Sequence, residues 1–290
     1  MRRTLATAGL LLLIGSAQGQ PVSAVDGRGR RIALPAPPRR IVSLGPSLTE
    51  ILFALGLGRR LVGVTSQCTY PPEARRLPTV GDHRTSIERV VALRPDLVVA
   101  GTTLNSLAIR QLERLRIPVF AVDPASLEET HQAILAIGAV TGARTRARAV
   151  VAEMRAQEQR VAARVARARG RPRVLVVLQA EPLWVAGAGN FMDELVVLAG
   201  GENVGRAAGR RYQALSPERV VALRPEVILA PPSDVDALRR RPGWTGVPAV
   251  RQGRVLAFPA DTFARPGPRL PHALEQVARL LHPAVFGEAR

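Results

Sequence analysis

The chain has 290 residues, of which 47% are hydrophobic, enough for one large domain or two domains of ordinary size. Its formal net charge is +18, and all 41 basic residues are arginine. A charge of this size suggests nucleic-acid binding. However, the arginines are spread along the chain, and the few aromatic residues are not interleaved with them as base-stacking platforms would be. We therefore expect no nucleic-acid partner.

The first 19 residues have the layout of a secretory signal peptide. Two arginines precede an apolar run from Leu5 to Gly15, and small residues at Ala17 and Gly19 fit a cleavage site. A membrane anchor is the alternative, but the run is too short to span a bilayer comfortably. The leader lacks cysteine, and Cys68 is the only one in the chain. We therefore expect an exported protein with no lipid anchor and no intramolecular disulfide.

One fifteen-residue phrase occurs twice. Residues 86–100 read SIERVVALRPDLVVA and residues 216–230 read SPERVVALRPEVILA, with ten identical positions. Each copy predicts a short helix, capped by its serine and ended by its proline, followed by a buried strand. Glu88 and Glu218 lie in the first helical turn, where the helix dipole favours an acid. A repeat of this kind indicates two related structural units.

Similar elements surround the two copies. Short β-branched runs predict strands at residues 40–44 and 116–123 around the first copy, and at 173–178 and 253–261 around the second. Strands that alternate with helices imply a parallel sheet with helices on its faces. We therefore predict an α/β fold of two Rossmann-like lobes, spanning residues 20–125 and 171–290.

The segment between the lobes, residues 126–170, is predicted to be helical. Leu127 to Val140 carries an apolar helical pattern that stops at Thr141 and Gly142. Residues 144–169 contain neither glycine nor proline and predict a helix of about 25 residues, nearly 40 Å long at roughly 1.5 Å per residue. Such a helix is either a rigid connection between the lobes or an exposed surface helix, and the two-lobe layout favours the connection.

Four segments together resemble a known family. They are RIVSLGPSLTEILFALGLGRRLVGVT from residue 40, YPPEA from 70, AGGEN from 199 and DTFARPGPRL from 261. They are similar to the periplasmic solute-binding proteins that serve ABC importers of cobalamin, haem and ferric siderophores, above all to the branch that binds vitamin B12. The resemblance implies a monomer that is not an enzyme, with ligand bound between two lobes and delivered to a permease dimer in the inner membrane.

The resemblance gives the repeated phrase a role in docking. In the vitamin B12-binding branch, the glutamate of each copy contacts arginines of the permease, and the matching residues here are Glu88 and Glu218. A carboxylate–arginine contact is charge-assisted and directional. The simpler interpretation, stabilisation of a helix start, is compatible with this role.

The resemblance also assigns candidate ligand contacts. They are Gln67, His83, Trp184, Tyr212, Asp261, Phe263 and Arg265. Asp261 and Arg265 suit the polar arms of a corrin or porphyrin, and the flat rings of Trp184 and Tyr212 suit the faces of a macrocycle. Core packing is the alternative for these rings and for Phe263, and we expect a structural role for Trp244.

Several residues differ from those of the vitamin B12-binding branch, so the sequence does not identify the ligand. Gln67 stands at a tyrosine position, His83 stands near a tryptophan position, and Gly101 replaces another tryptophan. His83 is either an axial ligand to cobalt or haem iron, or a solvated loop residue. Four arginines near the expected cleft equally suit haem carboxylates or an anionic ferric siderophore: Arg84, Arg210, Arg211 and Arg265.

An exported α/β enzyme is the alternative from a different class. The sequence has no nucleophile elbow, no phosphate-binding loop and no zinc-protease motif. We therefore expect a binding protein that needs no resident cofactor or metal, with cobalamin as first choice of ligand and haem or a ferric siderophore as alternatives.

Overall fold

The computed structural model describes residues 20–82, 84–258 and 260–287. The predicted signal peptide lies outside the described residues. The described chain opens with an antiparallel hairpin of β1 (Val22–Val25) and β2 (Arg31–Leu34). Asp26 shapes the hairpin turn, since its buried carboxylate accepts hydrogen bonds from the backbone of Arg28 and Arg30.

The N-terminal lobe is built on a four-stranded parallel sheet, as predicted. Its strands, in the order β4-β3-β5-β6, are β3 (Ile41–Ser43), β4 (Leu61–Val64), β5 (Leu97–Gly101) and β6 (Val119–Val122). Its helices are α1 (Pro46–Ala54), α2 (Ile87–Ala92) and α3 (Ser106–Arg114). Short 3-10 turns at Gly58–Arg60 and Pro72–Arg76 complete the lobe.

The C-terminal lobe has a six-stranded sheet. The strands are β7 (Arg173–Gln179), β8 (Trp184–Ala186), β9 (Glu202–Asn203), β10 (Tyr212–Ala214), β11 (Val227–Ala230) and β12 (Val255–Ala257). The helices are α6 (Phe191–Leu198), α7 (Pro217–Leu223), α8 (Val235–Arg239), α9 (Pro248–Arg251), α10 (Ala260–Phe263) and α11 (Leu270–Leu281). Further 3-10 turns span Val204–Ala208 and Pro283–Phe286.

Two details of this lobe differ from the prediction. The sheet is mixed, because a short loop joins β7 to β8 and such a loop permits only antiparallel pairing. The strand predicted at residues 253–261 ends at Ala257, and Asp261 lies on α10 instead. The sequence has a proline at position 259, which cannot donate a hydrogen bond to a strand ladder.

Both predicted linking helices are present. Helix α4 spans Leu127–Val140, the predicted bounds. Helix α5 spans Arg144–Val165, about 33 Å at 1.5 Å per residue, and ends four residues before the predicted Arg169 as the chain turns towards β7. Leu127 and Val161 pack in the C-terminal core, whereas most buried residues of α4 and α5 pack in the N-terminal core. The linking helices are therefore anchored in both lobes.

The strand in each copy of the repeated phrase is buried on both faces, and its alternate side chains pack in two different core clusters. On β5, Leu97 and Val99 pack in one core cluster, while Val98 and Ala100 pack in another on the opposite face. On β11, residues 227 and 229 face one cluster, and residues 228 and 230 face another. A strand buried on both faces has no polar side, which explains the continuous apolar run in each copy.

Among the described helices, none combines the length and the apolar character needed to cross a membrane.

Candidate functional site at the interlobe cleft

A cleft between the lobes is expected where the parallel strands end. In open α/β sheets, ligands bind outside the carboxyl ends of the strands. Asp123 follows β6 in the N-terminal lobe, and its carboxylate accepts a hydrogen bond of 3.2 Å from the Thr102 hydroxyl just after β5. Its charge also influences Tyr212 on β10 of the other lobe. The end of β6 therefore lies near Tyr212 of the second lobe.

Two aromatic side chains share one face of that hairpin. In the antiparallel pair β8–β10, Tyr212 lies opposite Ala186 and Ala214 lies opposite Trp184, so both rings project from the same side of the sheet. Trp184 is 39% exposed and Tyr212 is 38% exposed. Neither ring is buried in the core, so the core-packing alternative does not apply. Their contact with ligand stays a prediction.

The phenol of Tyr212 is half-buried against charged neighbours. Burial raises its pKa, and the nearby Arg211 opposes this effect, whereas Asp123 of the facing lobe adds to it. Tyr212 therefore remains a neutral hydrogen-bond donor at physiological pH. A neutral ring with a polar tip suits a site where a macrocycle with polar arms meets the protein.

Phe263 lies in the core and does not line the cleft. Its side chain is fully buried, and its ring centroid is 5.0 Å from that of Phe258. The core alternative stated for Phe263 therefore holds, and its assignment as a ligand contact is corrected. The residue reaches the core because α10 turns its inner face towards the sheet. Trp244 is also buried, as expected for a structural residue.

Arg265 lies two residues after the end of α10 and extends into the contact between the lobes. Its guanidinium lies 3.3 Å from the Glu50 carboxylate on α1, and 3.4 to 3.5 Å from the Thr69 hydroxyl. A further contact of 3.6 Å reaches the carboxylate of Asp261, which is 80% exposed. The predicted pair Asp261 and Arg265 is thus close together, and Arg265 also touches the N-terminal lobe. Their contact with ligand stays a prediction.

Arg269 and Glu50 are site residues that the sequence reasoning missed. Glu50 is almost fully buried on α1, and both of its oxygens accept hydrogen bonds from Arg269, at 2.6 and 2.7 Å. The same guanidinium lies 3.9 Å from the centre of the Tyr70 ring. A signal was available, because an acid within the apolar helix PSLTEILFA is costly to bury without a cation beside it.

The remaining candidates lie on loops around these residues. Gln67 is exposed on the loop after β4, beside Cys68, whose buried thiol contacts the hydroxyls of Thr49 and Thr65. His83 lies outside the described residues. Arg84, Arg210 and Arg211 are exposed, and Gly101 ends β5 at the cleft edge. Within the described part of the chain, no cluster of three or more histidine, cysteine or acidic side chains is arranged to hold a metal.

The glutamates of the repeated phrase are exposed at the starts of α2 and α7. Each carboxylate is held by its own backbone N–H and by the hydroxyl of the serine two residues before, and these bonds lower the pKa of both Glu88 and Glu218. Both therefore present a fixed negative charge. Ser86 caps its helix through the Arg89 backbone N–H, whereas Ser216 makes no such cap bond.

The two copies share their other supporting contacts. Arg94 and Arg224 both adopt a left-handed backbone after the helix. An arginine at the start of each lobe's central strand donates to a carbonyl at the end of that helix, from Arg40 to Leu93 and from Arg173 to residue 223. The repeated phrase is therefore a repeated three-dimensional unit, with one acid presented by each lobe.

A model of the periplasmic binding protein family matches residues 41–262. The chain belongs to this family. It is 32% identical over 276 residues to the ABC transporter substrate-binding lipoprotein YvrC of Bacillus subtilis, covering 92% of this chain and 88% of the relative. It is 30% identical over 254 residues to the vitamin B12-binding protein of Vibrio cholerae, covering 86% of this chain and 91% of the relative.

A solved structure agrees with this assignment. The haem-binding protein RhuT from Roseiflexus is 32% identical with a TM-score of 0.78, and the match covers 85% of this chain and 99% of that one. The resemblance stated from the motifs and the two-lobed α/β fold are thus confirmed. The family consists of extracytoplasmic solute-binding proteins of ABC importers rather than enzymes.

Proposed function

We propose that this protein captures a corrinoid, cobalamin, in the interlobe cleft and delivers it to an ABC permease in the inner membrane. The observation that carries the proposal is the pair of half-exposed rings, Trp184 and Tyr212, on one face of the C-terminal lobe. Flat apolar rings pack against the face of a macrocycle, and the polar groups around them orient its arms. Identity to vitamin B12-binding relatives supports the same ligand.

The polar side of the proposed site comes from both lobes. In this proposal, the contacting pair Asp123 and Thr102 forms the N-terminal wall, and the pair Arg265 and Asp261 forms the C-terminal wall. Amide arms of a corrin both donate and accept hydrogen bonds, so a wall with carboxylates, a hydroxyl and a guanidinium serves them on all sides.

Haem is the second candidate, because the residues around the proposed cleft carry more positive charge than a neutral ligand requires. Arg210 and Arg211 are exposed next to Tyr212, and Arg265 lies at the contact between the lobes. Guanidinium groups bind carboxylates in a bidentate manner, which suits the two acid arms of a haem. The identity of 32% to a haem-binding structure supports this alternative.

Docking uses the two exposed glutamates. A permease dimer offers two equivalent surfaces, and this chain presents one carboxylate from each lobe in matched geometry. Contacts of this type set orientation and association rate more than overall affinity. We propose that the mature protein works as a periplasmic monomer.

The ligand is tested by titrating the purified protein with cyanocobalamin, haemin and a ferric siderophore in a calorimeter. We expect sub-micromolar binding of cyanocobalamin. If haemin or the siderophore binds with sub-micromolar affinity and cyanocobalamin does not bind, the ligand is haem or a ferric siderophore rather than a corrinoid. Binding of none of the three would contradict the proposed function.

A further inference from the structure

The contact between α1 and the segment that joins α10 to α11 connects the two lobes directly. Glu50 belongs to the N-terminal lobe, whereas Arg265 and Arg269 belong to the C-terminal lobe. The backbones also approach closely here, since a Cβ at Gly267 would lie 3.6 Å from the Ser47 carbonyl oxygen. A buried acid of one lobe thus pairs with two cations of the other.

The two arginines hold Glu50 very differently. Arg269 makes two short bonds to its carboxylate, at 2.6 and 2.7 Å, donates a third of 2.8 Å to the Asp261 carbonyl, and stacks on Tyr70. Arg265 makes longer contacts, of 3.3 Å to Glu50, 3.4 Å to Thr69 and 3.6 Å to Asp261. Bidentate arginine–carboxylate pairs are the stronger and more directional kind.

The consequences of breaking these contacts differ as well. If Arg265 moves away, both oxygens of Glu50 still hold the Arg269 fork, so no buried charge loses its partner. If Arg269 is lost, Glu50 depends on a single contact of 3.3 Å while its side chain is 3% exposed. An unpaired buried carboxylate is strongly destabilising and is relieved by opening the contact to water.

We propose that Glu50 and Arg269 form an interlobe latch that fixes the width of the cleft, and that Arg265 is an exchangeable arm that leaves Glu50 to bind an anionic group of the ligand. The second half of this proposal rests on the proposed function, whereas the latch itself does not. Arg269 is a positioning residue, since it acts through Glu50 and Tyr70 and its Nε and Nη2 groups donate to Glu50 and to the Asp261 carbonyl.

The latch is tested on the ligand-free protein by amide hydrogen exchange. Glu50→Gln keeps the shape of the side chain but removes its charge, and we expect at least tenfold faster exchange in α1 and in residues 265–270. Arg269→Lys keeps the charge but loses the planar fork, and we expect acceleration in the same two segments. This second variant decides the question if Glu50→Gln does not fold.

Arg206→Gln is the matched control. Arg206 also makes a bidentate pair, with Asp193 at 2.7 and 3.1 Å, but both residues lie in the C-terminal lobe. We expect its loss to leave exchange at α1 unchanged. Unaltered exchange at α1 in Glu50→Gln and Arg269→Lys, or equal acceleration in Arg206→Gln, overturns the latch.

The exchangeable arm is tested with Arg265→Gln. We expect exchange in the ligand-free protein to stay at the wild-type rate, while affinity for haemin, which has two carboxylates, falls at least tenfold more than affinity for cyanocobalamin. Accelerated exchange in Arg265→Gln would make Arg265 part of the latch, and an equal loss for both ligands would remove its anion-binding role. If the wild type binds neither ligand, the proposed function fails, yet the exchange rates still decide the latch.

Discussion

His131 on α4 lies between two carboxylates, 3.0 Å from Glu158 on α5 and 3.3 Å from Glu128 one turn before it. The imidazole is almost fully buried in the contact between the linking helices. Arg155 on α5 faces the same group and donates to Glu128 at 2.8 Å. The protonated ring can therefore donate to both helices at once, and this contact stiffens the connection between the lobes.

Stability should depend on pH through His131. The hydrogen bond with Glu158 raises its pKa above 6.5 against the opposing effect of burial, and the charge of Glu158 and the bond to Glu128 add to the increase. A group whose pKa is raised on folding contributes stability that is fully present below its unfolded pKa and lost as pH rises through the folded value. We expect the melting temperature to fall above pH 6.5 for this reason.

The variant His131→Gln separates the contribution of His131 to stability from that of the other titrating groups. It keeps a hydrogen-bonding side chain without the charge, and we expect a loss of about 1.5–3 kcal/mol at pH 6, the usual range for a bond to a charged group. Thermal unfolding followed by circular dichroism from pH 5.5 to 9 provides the measurement. A pH profile in the variant with the same slope as the wild type would show that His131 is not responsible.

Docking should depend on the two glutamates together. We expect Glu88→Ala combined with Glu218→Ala to abolish transport and permease binding, because each lobe then lacks its directional charge. Ligand affinity should stay unchanged, since both residues lie at helix starts outside the cleft wall described above. Pull-down with the cognate permease and uptake in cells measure the effect.

A matched control removes two exposed carboxylates elsewhere. Glu153 on α5 and Glu181 after β7 are 66% and 83% exposed, and they pair with the exposed Arg146 and the partly buried Arg241. We expect the double change to alanine at these positions to preserve docking. Equal loss in both double variants would mean that overall charge, rather than the repeated phrase, governs association.

The two tryptophans should behave in opposite ways. We expect Trp244→Ala to cost roughly 3–5 kcal/mol of unfolding free energy, because the ring is buried and leaves a cavity. Trp184→Ala should change stability little and weaken ligand binding, with Tyr212→Ala doing the same. Denaturant unfolding and calorimetric titration together measure the contrast, and a large stability loss in Trp184→Ala would place that ring in the core instead.

Lobe closure on ligand binding should be small. Helix α5 is continuous over 22 residues, and the linking helices pack in both cores, so no flexible hinge strand connects the lobes. We expect the radius of gyration from solution scattering to change by less than about 1 Å on saturation, since a rigid helix permits only small tilts. A hinge closure of several ångströms would contradict this expectation.

The sequence by itself determined the architecture of this protein, because local patterns carry that information. The repeated phrase predicted two related lobes, and the uninterrupted run without glycine or proline predicted α5 within four residues of its end. Short apolar runs predicted the central strands, since a strand buried on both faces has no polar side. The motifs also pointed correctly to the family.

Only the tertiary structure decided which side chains meet across the cleft. Residues 50 and 269 are 219 positions apart, and no local pattern states that the acid of α1 finds the second arginine of the ARPGPR segment. Phe263 and Arg265 are near neighbours on the chain, yet one enters the core and the other reaches the opposite lobe. Neighbouring residues diverge in this way because Phe263 is the last residue of α10, which packs against the core, whereas Arg265 follows in the segment that leads to α11 and contacts α1.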